Sequence, residues 1–424
     1  MQAMTLTVAF LAFLLLSMTV RLWLASRQIR HVVRHRDCVP AQFAHRITLP
    51  AHQRAADYTV AKVKLGILDG LISAVILIAL TLLGGLQWLA SLWAVWLSDS
   101  PLMQQLAIVV SVIVLTSLVE IPMDLYRQFR LEARFGFNRM TPGLFVVDLL
   151  KSVLLAAAIG IPLLAAILWL MQQAGSWWWL WAWALWTGFN LLVLLIYPTI
   201  IAPLFNKFKP LEPGAVRSRV ETLLQRCGFS SSGLFVMDGS RRSAHGNAYF
   251  TGFGKGKRIV FFDTLLSRLD VDEIEAVLAH ELGHFKKRHI IKRLAFGFVA
   301  SLAGLALLGY LSAQTWFYQG LGVTIDPTSG LPAGIALLLF FLVLPAFTFV
   351  LRPLATYLSR RDEFEADAYA AALADPVQLT SALVKLYEDN AATLTPDPVH
   401  SAFYDSHPPA AIRIDRLSSL AAAA

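Results

Sequence analysis

The sequence predicts a mainly α-helical membrane protein, a transmembrane bundle of seven helices carrying a small α+β domain on its cytoplasmic side. Three observations carry that prediction. The residues are 57% hydrophobic and only 15% charged, with a mean hydropathy of +0.59, far from the averages of soluble domains. Seven apolar runs are each long enough to cross about 30 Å of hydrocarbon as a helix, which takes roughly 20 residues. The polar residues collect in two places, before the sixth run and after the seventh.

The runs cover residues 4–24, 66–97, 102–123, 143–171, 177–201, 294–316 and 331–350. The second and fourth are longer than one span needs, so tilt or protruding ends are expected, and Pro162 after Gly160 is placed to kink the fourth. The first lacks the charged leader and cleavage site of a signal peptide. Its basic residues Arg21, Arg27, Arg30, Arg34 and Arg36 follow it instead, so it is expected to remain as an anchor. The tryptophans at 177, 178, 179, 181, 183 and 186 read as an aromatic belt.

Lysine and arginine alternate between loops. Eight lie between the first two spans, Arg127, Arg130, Arg134 and Arg139 follow the third, and fourteen lie from Lys207 to Arg288; segments 98–101, 172–176 and 317–330 have none. By the positive-inside rule the N-terminus is outside and the C-terminus cytoplasmic. The same loops account for the formal charge of +8. No recognition motif accompanies that charge, so no nucleic-acid partner is expected; the bilayer and a peptide or protein substrate are, with the chain a monomer. Cys38 and Cys227 are expected on the reducing side as packing residues.

Four stretches organise the chain. Residues 1–202 hold spans one to five, 203–293 a polar part, 294–351 spans six and seven, and 352–424 a second polar part that completes the first. Within 203–293, residues 215–227 read as a helix ending at Gly228, and 234–237, 247–251 and 258–262 as strands, the last two joined by the turn Gly252-Phe253-Gly254-Lys255-Gly256. Asp270 then opens a helix with a capping-box pattern to Glu273 and an apolar stripe at Ile274, Val277 and Leu278.

That helix carries His280-Glu281-Leu282-Gly283-His284. Residues four apart share a helix face, so both imidazoles can reach one metal ion, and Glu281 stands beside them as a general base. One Zn2+ per chain is expected. Catalytic zinc takes three protein ligands. Residues 359–368 read as a helix offering Glu363 and Asp367 on one face; Glu363 is assigned to the metal and Asp367 to orienting a ligating imidazole.

This pair of motifs, between late membrane spans, resembles the type I CAAX prenyl protease family of integral-membrane zinc peptidases. Further matches are Arg134-Phe135-Gly136-Phe137-Asn138, Ile201-Ala202-Pro203-Leu204-Phe205, Ser243-Ala244-His245-Gly246-Asn247-Ala248-Tyr249-Phe250, Ile259-Val260-Phe261-Phe262-Asp263-Thr264-Leu265-Leu266 and Ser406-His407-Pro408-Pro409. The resemblance implies seven helices enclosing a water-filled chamber with a gluzincin-like zinc site at its cytoplasmic end. It implies His280, His284 and Glu363 as ligands, Glu281 as base and His407 as a stabiliser of the tetrahedral intermediate. It also puts Asn247 and Ala248 on an edge strand that pairs with the substrate, as strand addition at an open edge would allow. Animal members carry a long charged insert before the zinc helix, whereas here Leu266 is fourteen residues before His280.

Other readings are weaker. Leu68-Asp69-Gly70 is like the aspartate motif of site-2 proteases, but it precedes the zinc helix, where in those enzymes it follows. A quality-control peptidase of the HtpX type has the same chemistry on four spans. A transporter or scaffold with structural zinc would not need Glu281. Asp69, Glu120, Asp148 and Lys151 sit in or at the edges of apolar spans, facing either a hydrated chamber or the interface. His245 reads as a polar loop residue and His289 as a surface one. The bacterial inner membrane is favoured over the endoplasmic reticulum, and substrates, prenylated or not, are expected to bind extended.

Overall fold

The computed structural model describes residues 1–252, 257–325 and 332–423. Its helices open with α1 (Gln2–Arg34), α2 (Leu49–Leu80), α3 (Gly85–Trp96), α4 (Pro101–Tyr126), α5 (Pro142–Gln173), α6 (Trp178–Ile196) and α7 (Ala202–Phe205). Then come β1 (Phe208–Pro210), α8 (Ala215–Arg226), β2 (Leu234–Met237), β3 (Ala248–Thr251), β4 (Arg258–Phe262), α9 (Asp263–Leu266) and α10 (Val271–Lys286). The chain continues through α11 (His289–Ser312), α12 (Thr315–Gly320), α13 (Ala333–Thr348), α14 (Arg352–Ala371), α15 (Pro376–Asp389), α16 (Pro398–Tyr404) and α17 (Ala410–Ala423).

Seven helical stretches are long and apolar enough to span a bilayer, matching the seven expected runs: Gln2–Arg34, Leu49–Leu80, Pro101–Glu132, Pro142–Gln173, Gly175–Phe205, His289–Ser312 and Ala333–Ala371. The long second run is two helices. It breaks between α2 and α3, where Gly84 takes φ 80, a left-handed turn that suits glycine. The sixth run likewise stops at Ser312 and resumes as α12, while Pro162 lies inside α5 without ending it. The belt is mixed: Trp177 and Trp181 are exposed, but Trp178 is buried and the Trp183 indole donates to the Phe298 carbonyl at 2.9 Å.

Only 6% of the most apolar stretch of α5 is buried, so most of it faces lipid or the interior of the bundle. The helices surround space. A cavity of about 450 Å³ lies between α1, α2, α4 and α13, and Arg21, Asp69 and Glu120 line it among apolar side chains. Asp148 is paired with Arg242 at 2.9 and 3.0 Å, and Lys151 donates to the Leu204 carbonyl at 2.7 Å, so both are satisfied by partners from the polar part or its approach.

The polar segments share one core. Val220, Leu223, Ile259, Phe261, Leu265, Ile274, Leu278, Leu282, Leu379 and Leu417 are buried together. The sheet order is β1-β2-β4-β3, with β2 and β4 parallel and the outer pairs antiparallel, Ala248 opposite Phe261. β1 is an extra strand, and β3 lies at an edge. Residues 253–256 of the expected turn lie outside the described residues, as does Leu331 of the seventh run. Cys227 packs against this core, whereas Cys38 is exposed.

Candidate metal centre

The zinc-motif helix α10 starts as the sequence indicates. Glu273 accepts the Asp270 backbone N–H at 2.8 Å and is itself held, buried, by Ser381 at 2.6 Å and Lys385 at 2.8 Å. Ile274, Leu278 and Leu282 anchor the inner face, which aims His280 and His284 at α14. Close approach of the two helices depends on Gly283. A Cβ there would meet the Ala366 Cα at 2.9 Å and its carbonyl oxygen at 3.0 Å. Glu363 stands one turn before Ala366 and is thereby brought against both imidazoles.

Three side chains converge. His280 Nε2 and His284 Nε2 are 3.2 Å apart; Glu363 Oε2 is 3.4 Å from the first and Oε1 3.3 Å from the second. Tetrahedral bonds of about 2.0–2.1 Å put donor atoms roughly 3.3–3.4 Å apart, which is the size of these closest approaches, Glu363 meeting the two imidazoles through different oxygens. Glu363 Oε2 is buried with no hydrogen-bond partner among the described residues, an arrangement that is costly unless a cation satisfies it. The donor set fits the metal.

Asp367 accepts from His280 Nδ1 at 2.9 Å, which leaves Nε2 as the free lone pair. It also takes two bonds from the buried Arg413, at 2.9 and 2.5 Å. Burial alone would push the His280 imidazole down, but Asp367 and Glu363 outweigh it and carry it up to about 9 before metal arrives. Burial pushes the Glu281 carboxyl up from its ordinary range, against the pull of His280 and His284. That shift moves a carboxylate toward the basicity a proton carrier needs.

His407 Nε2 lies 3.4 Å from Glu363 Oε1, its side chain 60% exposed, so it borders the open side of the triangle. Asn247 is exposed at the start of the edge strand; its Oδ1 takes the Ala248 N–H at 2.8 Å and its carbonyl takes the Phe262 N–H at 3.0 Å. His245 is away from the metal triangle, stacked on Phe137 and hydrogen-bonded to Asn390 at 2.8 Å, as a polar loop residue. His289 is not at the surface: it is 1% exposed and touches His284. Arg413 was also missed, although one charge inside Ala410-Ala411-Ile412-Arg413-Ile414 is the kind of isolated polar residue that marks a buried partner.

The bundle and this centre together define an integral-membrane zinc metalloprotease, a hydrolase. Two family models divide the chain between them, the CAAX prenyl protease N-terminal part with five membrane helices over residues 28–207 and peptidase family M48 over residues 210–421. CAAX prenyl protease 1 of Saccharomyces cerevisiae is 37% identical over 72% of this chain and 69% of its own length. The homologue from Oryza sativa subsp. japonica is 37% identical over 76% and 74%, and that from Homo sapiens 30% identical over 97% and 95%. The crystal structure of S. mikatae Ste24p superimposes with a TM-score of 0.90 at 30% identity, covering 97% of this chain and 99% of the other. The chain belongs to the CAAX prenyl protease family, within the M48 metallopeptidases, and its fold is the helical membrane bundle with a chamber. These relatives are eukaryotic and lend no support to a bacterial inner membrane.

Proposed function

We propose that this protein is a zinc endopeptidase that hydrolyses extended peptide substrates, including C-terminal CAAX-type sequences carrying a prenyl group. The observation that carries the reading is the donor triangle of His280, His284 and Glu363, with closest approaches of 3.2–3.4 Å and a buried carboxylate oxygen that has no hydrogen-bond partner among the described residues, and with Glu281 beside it. Zinc, when bound, supplies the Lewis acidity that polarises a scissile carbonyl and acidifies water.

The remaining steps fall to side chains. Glu281 accepts the proton of the attacking water and returns it to the leaving amine, a role suited to a carboxyl whose proton affinity burial has raised. His407, on the open side, donates an N–H to the oxygen on which charge develops. Asp367 fixes the tautomer of His280, and Arg413 fixes Asp367. The free edge of β3, entered at Asn247 and Ala248, offers main-chain groups to an extended substrate. The alternation of basic loops supports an outside N-terminus and a cytoplasmic C-terminus, which puts this centre on the cytoplasmic side.

The test is a panel of tagged peptides with and without a farnesyl group, incubated with the zinc-loaded, detergent-purified protein and analysed by mass spectrometry. Cleavage near the C-terminus, favoured by the farnesyl group, is expected. No cleavage of any peptide at full zinc occupancy would overturn the proposal.

A further inference from the structure

Arg288 is one of two non-glycine residues with positive φ among those described, at φ 57 and ψ 32. Such a conformation costs free energy for a side chain with a Cβ and persists where the surroundings demand it. Its effect here is to break α10 from α11 and fold the chain back. On one continuous helix, residues five apart lie about 140° apart and cannot meet. With the break, His289 Nδ1 comes within 3.0 Å of His284 Nδ1. The far side of the same ring is 3.3 Å from Glu365 Oε2 and 3.6 Å from Asp362 Oδ1. Those carboxylates are in turn held by Arg361 at 3.2 Å and Arg293 at 3.0 Å.

Two imidazole nitrogens at 3.0 Å share one hydrogen, so the pair has two neutral arrangements. In one, His284 carries its proton on Nδ1 and donates to His289, whose own proton sits on Nε2 and is donated to Glu365. In the other, His289 donates to His284, leaving a lone pair facing two carboxylates and placing the His284 proton on Nε2. Only the first gives His289 a partner on both sides of its ring and leaves His284 Nε2 free toward Glu363 and His280. We infer that His289 is a positioning residue that holds His284 in its metal-binding tautomer, with Glu365 and Asp362 selecting that tautomer through the far side of the ring. The inference rests on the reading of His284 as a ligand. It gives the second histidine what Asp367 gives the first, and it assigns the strained Arg288 the work of delivering His289.

Zinc release to a chelator separates this role from packing. His289→Phe keeps the ring volume and loses the acceptor, whereas His289→Asn loses volume and keeps an oxygen near the Nδ1 position. The Phe variant is expected to lose zinc about 10- to 100-fold faster, the range for lost partners of metal-bound histidines, and the Asn variant to stay within about threefold of wild type. A packing role predicts the reverse order. Zinc release from the Phe variant at the wild-type rate, or equal loss in both variants, overturns the inference. Should the Phe variant not fold, the double variant Asp362→Ala, Glu365→Ala on the more exposed side must speed release at least threefold, and an unchanged rate sinks the idea. His284→Ala tests the ligand reading separately, since it must abolish tight binding whatever His289 does.

Discussion

Substituting Gly283 with alanine should weaken zinc binding without touching a ligand. The new Cβ would lie 2.9 Å from the Ala366 Cα, 3.0 Å from its oxygen and 3.2 Å from its Cβ, all below the 3.4 Å where ordinary contact begins. Backbone cannot swing aside as a side-chain end can, so α14 must retreat by about 0.5 Å. His280 and His284 ride together on α10 and keep their spacing, but Glu363 moves with α14. Metal sites tolerate errors of about 0.2 Å in ligand distance, so the triangle opens past what one ion can bridge. Closing it again restores the clash, which for overpacking costs about 1–3 kcal/mol. Zinc affinity should therefore fall about 5- to 150-fold. The assay is competition with a chelator of known affinity, run beside Gly297→Ala on α11, where a Cβ meets nothing within 4 Å and no change is expected. Wild-type affinity in Gly283→Ala would refute the claim that this contact sets the donor spacing.

Three further outcomes are expected. Glu281→Gln should abolish cleavage with zinc retained, because it removes the proton acceptor and keeps the ligands; a tenth of wild-type turnover in the metal-loaded variant would remove Glu281 from the chemistry. Because the His280 imidazole is carried up to about 9 in the metal-free site, zinc must displace its proton below that pH, so apparent affinity should fall about tenfold per unit as pH drops from 9 toward 7 and level off above 9. A flat profile over that range would show that the histidine is already neutral. His407→Phe should lower kcat about 100-fold with zinc content unchanged, since a bond to the oxyanion strengthens only as charge develops; a normal kcat per bound zinc would leave His407 a loop residue.

What could be read from the sequence was what depends on local period. The number of spans, the strands at 234–237 and 258–262 and the capped start of α10 all follow from spacing within one segment and came out as expected, though the second span is Leu49–Leu80 rather than 66–97. The histidine pair was legible for the same reason, since four residues on a helix fix a common face. Breaks were not. The turn at Gly84 divides a run that hydropathy alone joins, because an apolar window does not register a single left-handed residue. His289 was misplaced for the same cause: five residues after His284 it lies off the ligand face of a continuous helix, whereas the left-handed Arg288 turned it inward. Arg413 needed tertiary knowledge: nothing near position 413 signals a carboxylate forty-six residues earlier.

His289 and Arg413, unlike Gly84, both lie at the metal centre, where contacts between distant segments hold the site. α11 follows α10 after the break at Arg288, and α14 continues from α13 through the turn Phe349–Leu351, so the helices that carry His280, His284 and Glu363 both adjoin membrane spans. The imidazole pair is fixed by one helix, but its 3.3–3.4 Å distance to Glu363 is an interhelical quantity. It is set by Gly283 against Ala366 above and, below, by how α11 and α13 pack in the bundle. A metal triangle that tolerates only about 0.2 Å needs both supports. The polar segments alone, 203–293 with 352–424, keep the histidine motif, Glu363 and the contact of Gly283 with Ala366, and lose only the support from α11 and α13. The membrane bundle therefore encloses space and also braces, from the far ends of α10 and α14, a spacing that Gly283 and Ala366 set.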